Sequence, residues 1–122
     1  MTTEASALEA LKKICKGQVF YDTASGHVTK LSFNDSNSIY GSTIRHLPQE
    51  EKQKVLELLE NFEHLEYLDL RRARFDQPNP WDRNFFPKLT HLDLGSCGLT
   101  LVPDWIGSCE NLKYLNLAVN EL

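Results

Sequence analysis

The chain lacks a CxxC pair, a long apolar run and an excess of basic residues, and each absence narrows what it does. Cys15, Cys97 and Cys109 form an odd, widely spaced set. They are read as buried small hydrophobes in a reducing compartment rather than as disulfide partners or metal ligands, so a cytoplasmic location is expected. The opening MTTEASALEALKKICKG has no uninterrupted apolar core, and its lysines follow the apolar residues, unlike a secretory signal. Nothing reaches membrane-spanning length, so no membrane association is expected. With 13 Lys and Arg against 17 Asp and Glu, the net charge is −4 and the pI about 5.5. That balance argues against general nucleic-acid binding, which needs cations to neutralise phosphates, although a local basic cluster stays possible. What is present, 41% hydrophobic and 25% charged residues in a chain of 122, suits one compact unit.

The organising feature is internal repetition. Leu89, Leu92, Leu94, Cys97 and Leu99 recur with the same spacing as Leu112, Leu115, Leu117, Asn120 and Leu122, twenty-three residues on. Leu65, Leu68, Leu70, Ala73 and Phe75 form a third copy, twenty-four residues before Leu89. The pattern LxxLxLxx(N/C)xL is the leucine-rich repeat signature. Its LxL places two leucines on one face of a short strand, and the small or amide residue that follows turns the chain inward. One copy cannot bury that face alone. Stacked copies give an α/β leucine-rich repeat solenoid with a curved parallel sheet.

Ahead of the repeats, an amphipathic helix is expected from about Ala5 to Lys16. Ser6 with Glu9 fits a capping box, Leu8, Leu11, Ile14 and Cys15 form the apolar face, and Gly17 supplies the stop. Its expected task is to cover the open end of the array, with partner docking as the alternative. Two β segments follow, QVFYD and HVTKLSF, around a turn ending in Gly26. Val28, Leu31 and Phe33 match the first anchors; Asn37, Ile39 and Gly41 match a continuation if one residue is inserted. Residues 1–27 are thus expected to form an amino-terminal helix/β cap and residues 28–122 about four repeat strands. The run from Gly17 to Leu31 resembles the opening of plant-type extracellular leucine-rich repeat proteins. Those usually carry a cysteine pair in this cap and this chain has Cys15 alone, so their cell-surface location does not carry over.

Between the first two repeats, residues 44–62 leave room for one longer helix on the convex side. Pro48 suits its first position, Gln49, Glu50 and Glu51 favour its amino end, and Val55, Leu58, Leu59 and Phe62 make its stripe. Glu57, Glu60 and Glu63 read as a solvated face, or else a docking site for a basic partner. The next return, FDQPNPWDRNFFPKL, is interrupted by Pro78 and Pro80, and three aromatics, Trp81, Phe85 and Phe86, are more than one loop readily buries. Trp81 is therefore a candidate surface contact. The last return, Leu99-x-x-Val102-Pro103-x-x-Ile106-Gly107-x-Cys109-x-Asn111-Leu112, closely resembles the twenty-three-residue class of intracellular repeat proteins, which includes Ras-binding scaffolds and the arrays of Roco GTPases. Val102 and Cys109 replace leucines there and are expected to stay on the buried side. Trp105 falls at a variable, outward position and joins Trp81 as a secondary surface candidate.

Catalysis finds little support. Nucleophile, base and acid must converge, whereas His27, His46, His64 and His91 are scattered along the chain. Asp69 and Asp93 occupy equivalent strand positions and should stand side by side, able to share a proton, hold a cation or accept a partner's Lys or Arg, or simply to be solvated. No cofactor or metal site is expected. The period instead predicts three exposed columns on the concave sheet: Lys30, Tyr67, His91, Tyr114; Ser32, Asp69, Asp93, Asn116; and Asn34, Arg71, Gly95, Ala118. The first is an aromatic ladder suited to an extended peptide or protein loop, or equally to sheet stability alone. Arg71, Arg72 and Arg74 add a cationic edge that could meet an acidic group or be merely solvated. The binding candidates are Lys30, Tyr67, Asp69, Arg71, His91, Asp93, Tyr114 and Asn116.

The chain reaches Asn120-Glu121-Leu122 with no polar capping element, so a longer parent array, or self-association through this uncapped repeat, is expected. The resulting expectation is a noncatalytic protein- or peptide-recognition module. The alternatives are a regulatory segment of a larger enzyme such as a Roco-type GTPase, and a self-associating structural module.

Overall fold

The computed structural model describes residues 3–34, 41–75 and 86–122. Helix α1 spans Glu4–Ile14, and its first turn is closed by a reciprocal box in which Thr3 Oγ1 accepts the Ser6 N–H and Ser6 Oγ accepts the Thr3 N–H. The expected box one turn later does not form, because Ser6 already serves as the third helical residue and Glu9 pairs with Lys12 at 3.2 Å. Ala7, Leu8, Leu11 and Cys15 enter the core.

Strands β1 (Phe20–Ala24) and β2 (His27–Ser32) are antiparallel, joined by Ser25 and Gly26 at φ 54° and 82°. Two positive φ values in a two-residue loop match the hand of the strand twist, and Gly26 adopts its value without a Cβ penalty. From β2 the sheet runs parallel through β3 (Tyr67–Asp69), β4 (His91–Asp93) and β5 (Tyr114–Asn116), in chain order. The register pairs Leu31 with Leu68, Leu68 with Leu92, and Leu92 with Leu115. Repeat spacing in sequence has become lateral adjacency in space.

Helix α2 (Gln49–Leu59) packs against α1 on the core side of the sheet. Pro48 stands one position earlier than expected, as the N-cap. Val55, Leu59 and Phe62 are buried as the stripe predicts, Leu58 only partly, and Leu56 joins them. Lys52 is also buried, its Nζ donating to the Arg74 carbonyl at 2.6 Å, while Gln49 Nε2 donates to the Phe75 carbonyl at 2.9 Å. These two bonds tie the helix to the turn that leaves β3, satisfying carbonyls that the irregular backbone cannot pair.

The core is one cluster holding the anchors of the first three repeats, with each fully buried leucine contributing about 1.5–3 kcal/mol. The inner turn positions of the repeats are filled differently, by Ala73, Cys97 and Asn120. Cys97 Sγ donates to the Leu70 carbonyl at 3.0 Å. Asn120 does more: Oδ1 accepts the Cys97 and Leu99 N–H groups at 3.0 Å each, and Nδ2 donates to the Leu94 carbonyl at 2.9 Å. That carboxamide is why this repeat position favours asparagine.

Two expectations fail in the last return. Trp105 is 3% exposed, set in a 3₁₀ turn (Asp104–Ser108) and packed edge-on against Phe86 at 5.5 Å between ring centroids. The tighter 3₁₀ winding rotates the nominally outward position onto the core. Val102, expected inside, is 43% exposed. Trp81, Phe85, Pro78, Pro80, Asn37 and Ile39 lie outside the described residues.

Candidate functional site

The three predicted columns stand on the sheet face opposite the helices, in the predicted register: Lys30 beside Tyr67, Tyr67 beside His91, His91 beside Tyr114. Strand spacing of about 4.8 Å brings neighbouring rings close to stacking distance. Tyr67 and His91 stack with centroids 4.2 Å apart and planes at 17°, and His91 and Tyr114 at 4.1 Å and 10°. Lys30 Nζ sits 4.5 Å from the Tyr67 centroid, so an ammonium closes one end of the stack. Tyr114 is the ring at the other end and is 46% exposed. Burial, with nearby Asp69 adding to it, raises the Tyr67 phenol above its ordinary range.

The second column departs from expectation. Asp69 and Asp93 stand side by side but are only 4% and 5% exposed, not solvated. Each works on its own backbone: Asp69 Oδ1 accepts the Arg71 N–H at 3.0 Å, and Asp93 Oδ1 accepts the Gly95 N–H at 2.9 Å. Ser32 and Asn116 repeat the device, accepting the Asn34 and Ala118 N–H groups at 3.3 and 2.9 Å. A short side chain with an acceptor closes the turn at the end of every parallel strand. Neighbouring members are linked as well: Ser32 Oγ donates to Asp69 at 3.4 Å and Asn116 Nδ2 to Asp93 at 3.1 Å. Burial, ahead of the opposing hydrogen bond and the proximity of Asp93, raises the Asp69 carboxyl above its ordinary value.

Arg71, in the third column, is the cation facing both acids. Its guanidinium lies 3.7 Å from Asp69 Oδ2 and 3.8 Å from Asp93 Oδ2, longer than hydrogen bonds, and its buried Nε makes none. With the Asn34 amide oriented to satisfy both its ends, Asn34 Oδ1 accepts from Arg71 Nη2 at 2.6 Å and Nδ2 donates to the Gly41 carbonyl. Gly95 leaves this column bare for a local reason: a Cβ there would come within 2.9 Å of Asn116 Nδ2 and 3.1 Å of Asp93 Oδ1. Arg72 and Arg74, the rest of the expected cationic edge, both take positive φ.

The histidines are less scattered than the linear sequence suggests. His27 and His64 stack at 3.6 Å and 17°, with Glu4 3.3 Å from His27 Nδ1 and Lys88 Nζ 3.2 Å from His64 Nδ1. Their signal was available, since each immediately precedes the first anchor of its repeat, Val28 and Leu65. Glu4 also accepts the Val28 N–H, so the group fastens α1 to the first repeat. Among the described residues no three His, Cys, Asp or Glu side chains are grouped to hold a metal ion, and no helix is long and apolar enough to cross a membrane.

All three cysteines are free and buried. Burial raises each thiol, Cys97 to about 12, which keeps them protonated at neutral pH.

Comparison with known families agrees with this geometry. The Leucine Rich Repeat family model matches residues 88–109, the repeat around β4 and the turn after it. No curated protein and no solved structure matches the chain. The match covers one repeat, and the strands on either side of β4 continue its register; leucine-rich repeat motifs commonly mediate protein–protein interaction.

Proposed function

We propose that the chain is a noncatalytic recognition module that takes a protein loop or extended peptide on the face bearing Lys30, Tyr67, His91 and Tyr114. The observation that carries this reading is the continuous stack from Lys30 to Tyr114 on that face, beside Asp69, Asp93, Asn116 and the guanidinium of Arg71. Rigid stacked rings offer apolar area and polar edges with little side-chain entropy left to lose on binding. The buried members of the second column act through the turns they close, presenting Arg71, Gly95 and Ala118 at fixed height. Three buried, unbonded thiols favour a reducing, cytoplasmic setting.

The test is affinity capture followed by titration of the retained partner. Replacing Tyr67 and Tyr114 together with Ala should weaken binding by about tenfold or more while circular dichroism stays unchanged. Unchanged affinity removes the ladder from recognition.

A second reading is that the apolar residues of the last repeat given are covered, by a following repeat or by a second copy of the chain. Leu115 is 39% exposed where its register partners Leu68 and Leu92 are fully buried, and Val119 and Leu122 are exposed beyond it. Light scattering across a concentration series distinguishes the two covers, since a strictly monomeric species counts against a second copy.

A further inference from the structure

The core does not use the whole apolar stripe of either helix. Ile14, on the stripe of α1, and Leu58, on that of α2, are only partly buried, whereas Leu11, Val55 and Leu59 are fully covered. The uncovered parts meet at the seam between the helices, where Ala10, Ile14 and Leu58 line a groove of about 640 Å³.

The polar margin of this groove carries one sign in excess. Glu57 and Glu60 line it against Lys54, with Asn61 beside them. None of the α1 lysines is part of the lining, and Lys12 turns instead to Glu9 and the Tyr21 ring. Residues 48–66 as a whole hold six glutamates, and their two lysines are Lys54 and the buried Lys52, whose amine is taken by the Arg74 carbonyl. Glu57 is exposed, with no cation within 4 Å among the described residues. Both walls are helices whose backbone groups bond along their own axes, so the seam offers no strand edge to extend. A third helix, which likewise satisfies its own backbone, fits such a seam. We infer that the groove between α1 and α2 docks a basic amphipathic helix of a partner protein. Its apolar stripe rests on Ala10, Ile14 and Leu58, and its lysine or arginine side chains stand beside Glu57 and Glu60. This second surface is independent of the ladder face and takes a partner of different chemistry.

The experiment follows the methyl resonances of Ala10, Ile14 and Leu58 in 1H–13C NMR spectra of the whole chain. Three synthetic peptides of about eighteen residues, long enough to form a helix, serve as probes. One arranges leucine and lysine with helical period, one has glutamate in place of lysine, and one keeps the leucine–lysine composition in an order without an apolar stripe. The patterned lysine peptide should saturate the three methyls at concentrations about tenfold lower than either of the others, with Tyr67 and His91 unmoved and the advantage shrinking as salt rises. Glu57→Gln with Glu60→Gln should weaken it about threefold or more, while Glu110→Gln with Glu121→Gln, the same loss of charge at exposed sites in the last repeat, leaves it unchanged. Equal saturation by the glutamate peptide refutes the basic partner. Equal saturation by the unpatterned peptide, or an equal loss in the two double variants, reduces the effect to overall charge and refutes the groove. If no peptide moves the three methyls, the docking site is refuted.

Discussion

Asn116 Nδ2 donates to Asp93 Oδ1 at 3.1 Å, and the same oxygen accepts the Gly95 N–H at 2.9 Å. One carboxylate oxygen thus joins two strands and closes the turn that follows one of them. Removing it leaves two donors short of an acceptor and takes from Arg71 one of its two acids. Asp93→Ala should cost about 2–4 kcal/mol in urea unfolding, and Asp93→Asn, which keeps an acceptor in place, distinctly less. Equal losses for the two variants would contradict the turn-closing role.

The neighbouring acid should reveal its burial through pH. Because the folded-state pKa of Asp69 is raised above its ordinary 3.8, the folded protein binds the proton more tightly than the unfolded chain. Its contribution to stability is therefore greatest below the unfolded pKa and declines as pH rises through the raised value. Unfolding free energies of the wild type and Asp69→Asn, compared from pH 7 down to pH 4, should shift in favour of the wild type as pH falls. A shift in the opposite direction would mean that Asp69 is held ionised.

Trp105 should behave as core. Its deletion to Ala is expected to cost about 3–5 kcal/mol, with the cavity opening against Phe86. A loss below about 0.5 kcal/mol, the usual scale of a surface change, would return this residue to the outside of the fold.

Val119 occupies the same turn position as Arg72 and Ser96, and all three have positive φ, 59°, 65° and 54°. A β-branched residue is the worst suited of the three to that conformation. Val119→Asn or Val119→Gly should raise the unfolding midpoint, by about 0.5–1 kcal/mol of stability for the asparagine. A lower midpoint in both variants would show that the exposed valine side chain contributes more than its backbone costs.

The buried thiols give a fifth check. Cys15, Cys97 and Cys109 should react with a thiol reagent only at the rate of unfolding, and rapidly once urea is added. A fast-reacting thiol in the native protein would place that cysteine outside the core.

The repeat explains which of these features were readable from the amino-acid order. A shift of 23 or 24 residues maps onto one strand spacing, so the amino-acid order alone aligns Tyr67, His91 and Tyr114. Depth was not readable. Alternation says that Asp69 and Asp93 leave the core side, but their depth depends on neighbours that only the folded register brings together, Arg71 beside both carboxylates and Asn116 against Asp93. The pattern marks the position of Trp105 as variable, whereas the side it takes is set by the 3₁₀ winding and the contact with Phe86. Lys52 shows the same limit, since its buried amine makes sense only once the Arg74 carbonyl is brought over it by the fold.

The most direct measurement is the footprint of the captured partner on the isotope-labelled protein, read as chemical-shift changes across the whole sequence. Recognition by the ladder face predicts the largest changes at Lys30, Tyr67, His91, Tyr114 and Arg71, with α1 and α2 silent. Changes confined to the helices, or to Leu115, Val119 and Leu122 with the ladder unmoved, would contradict it.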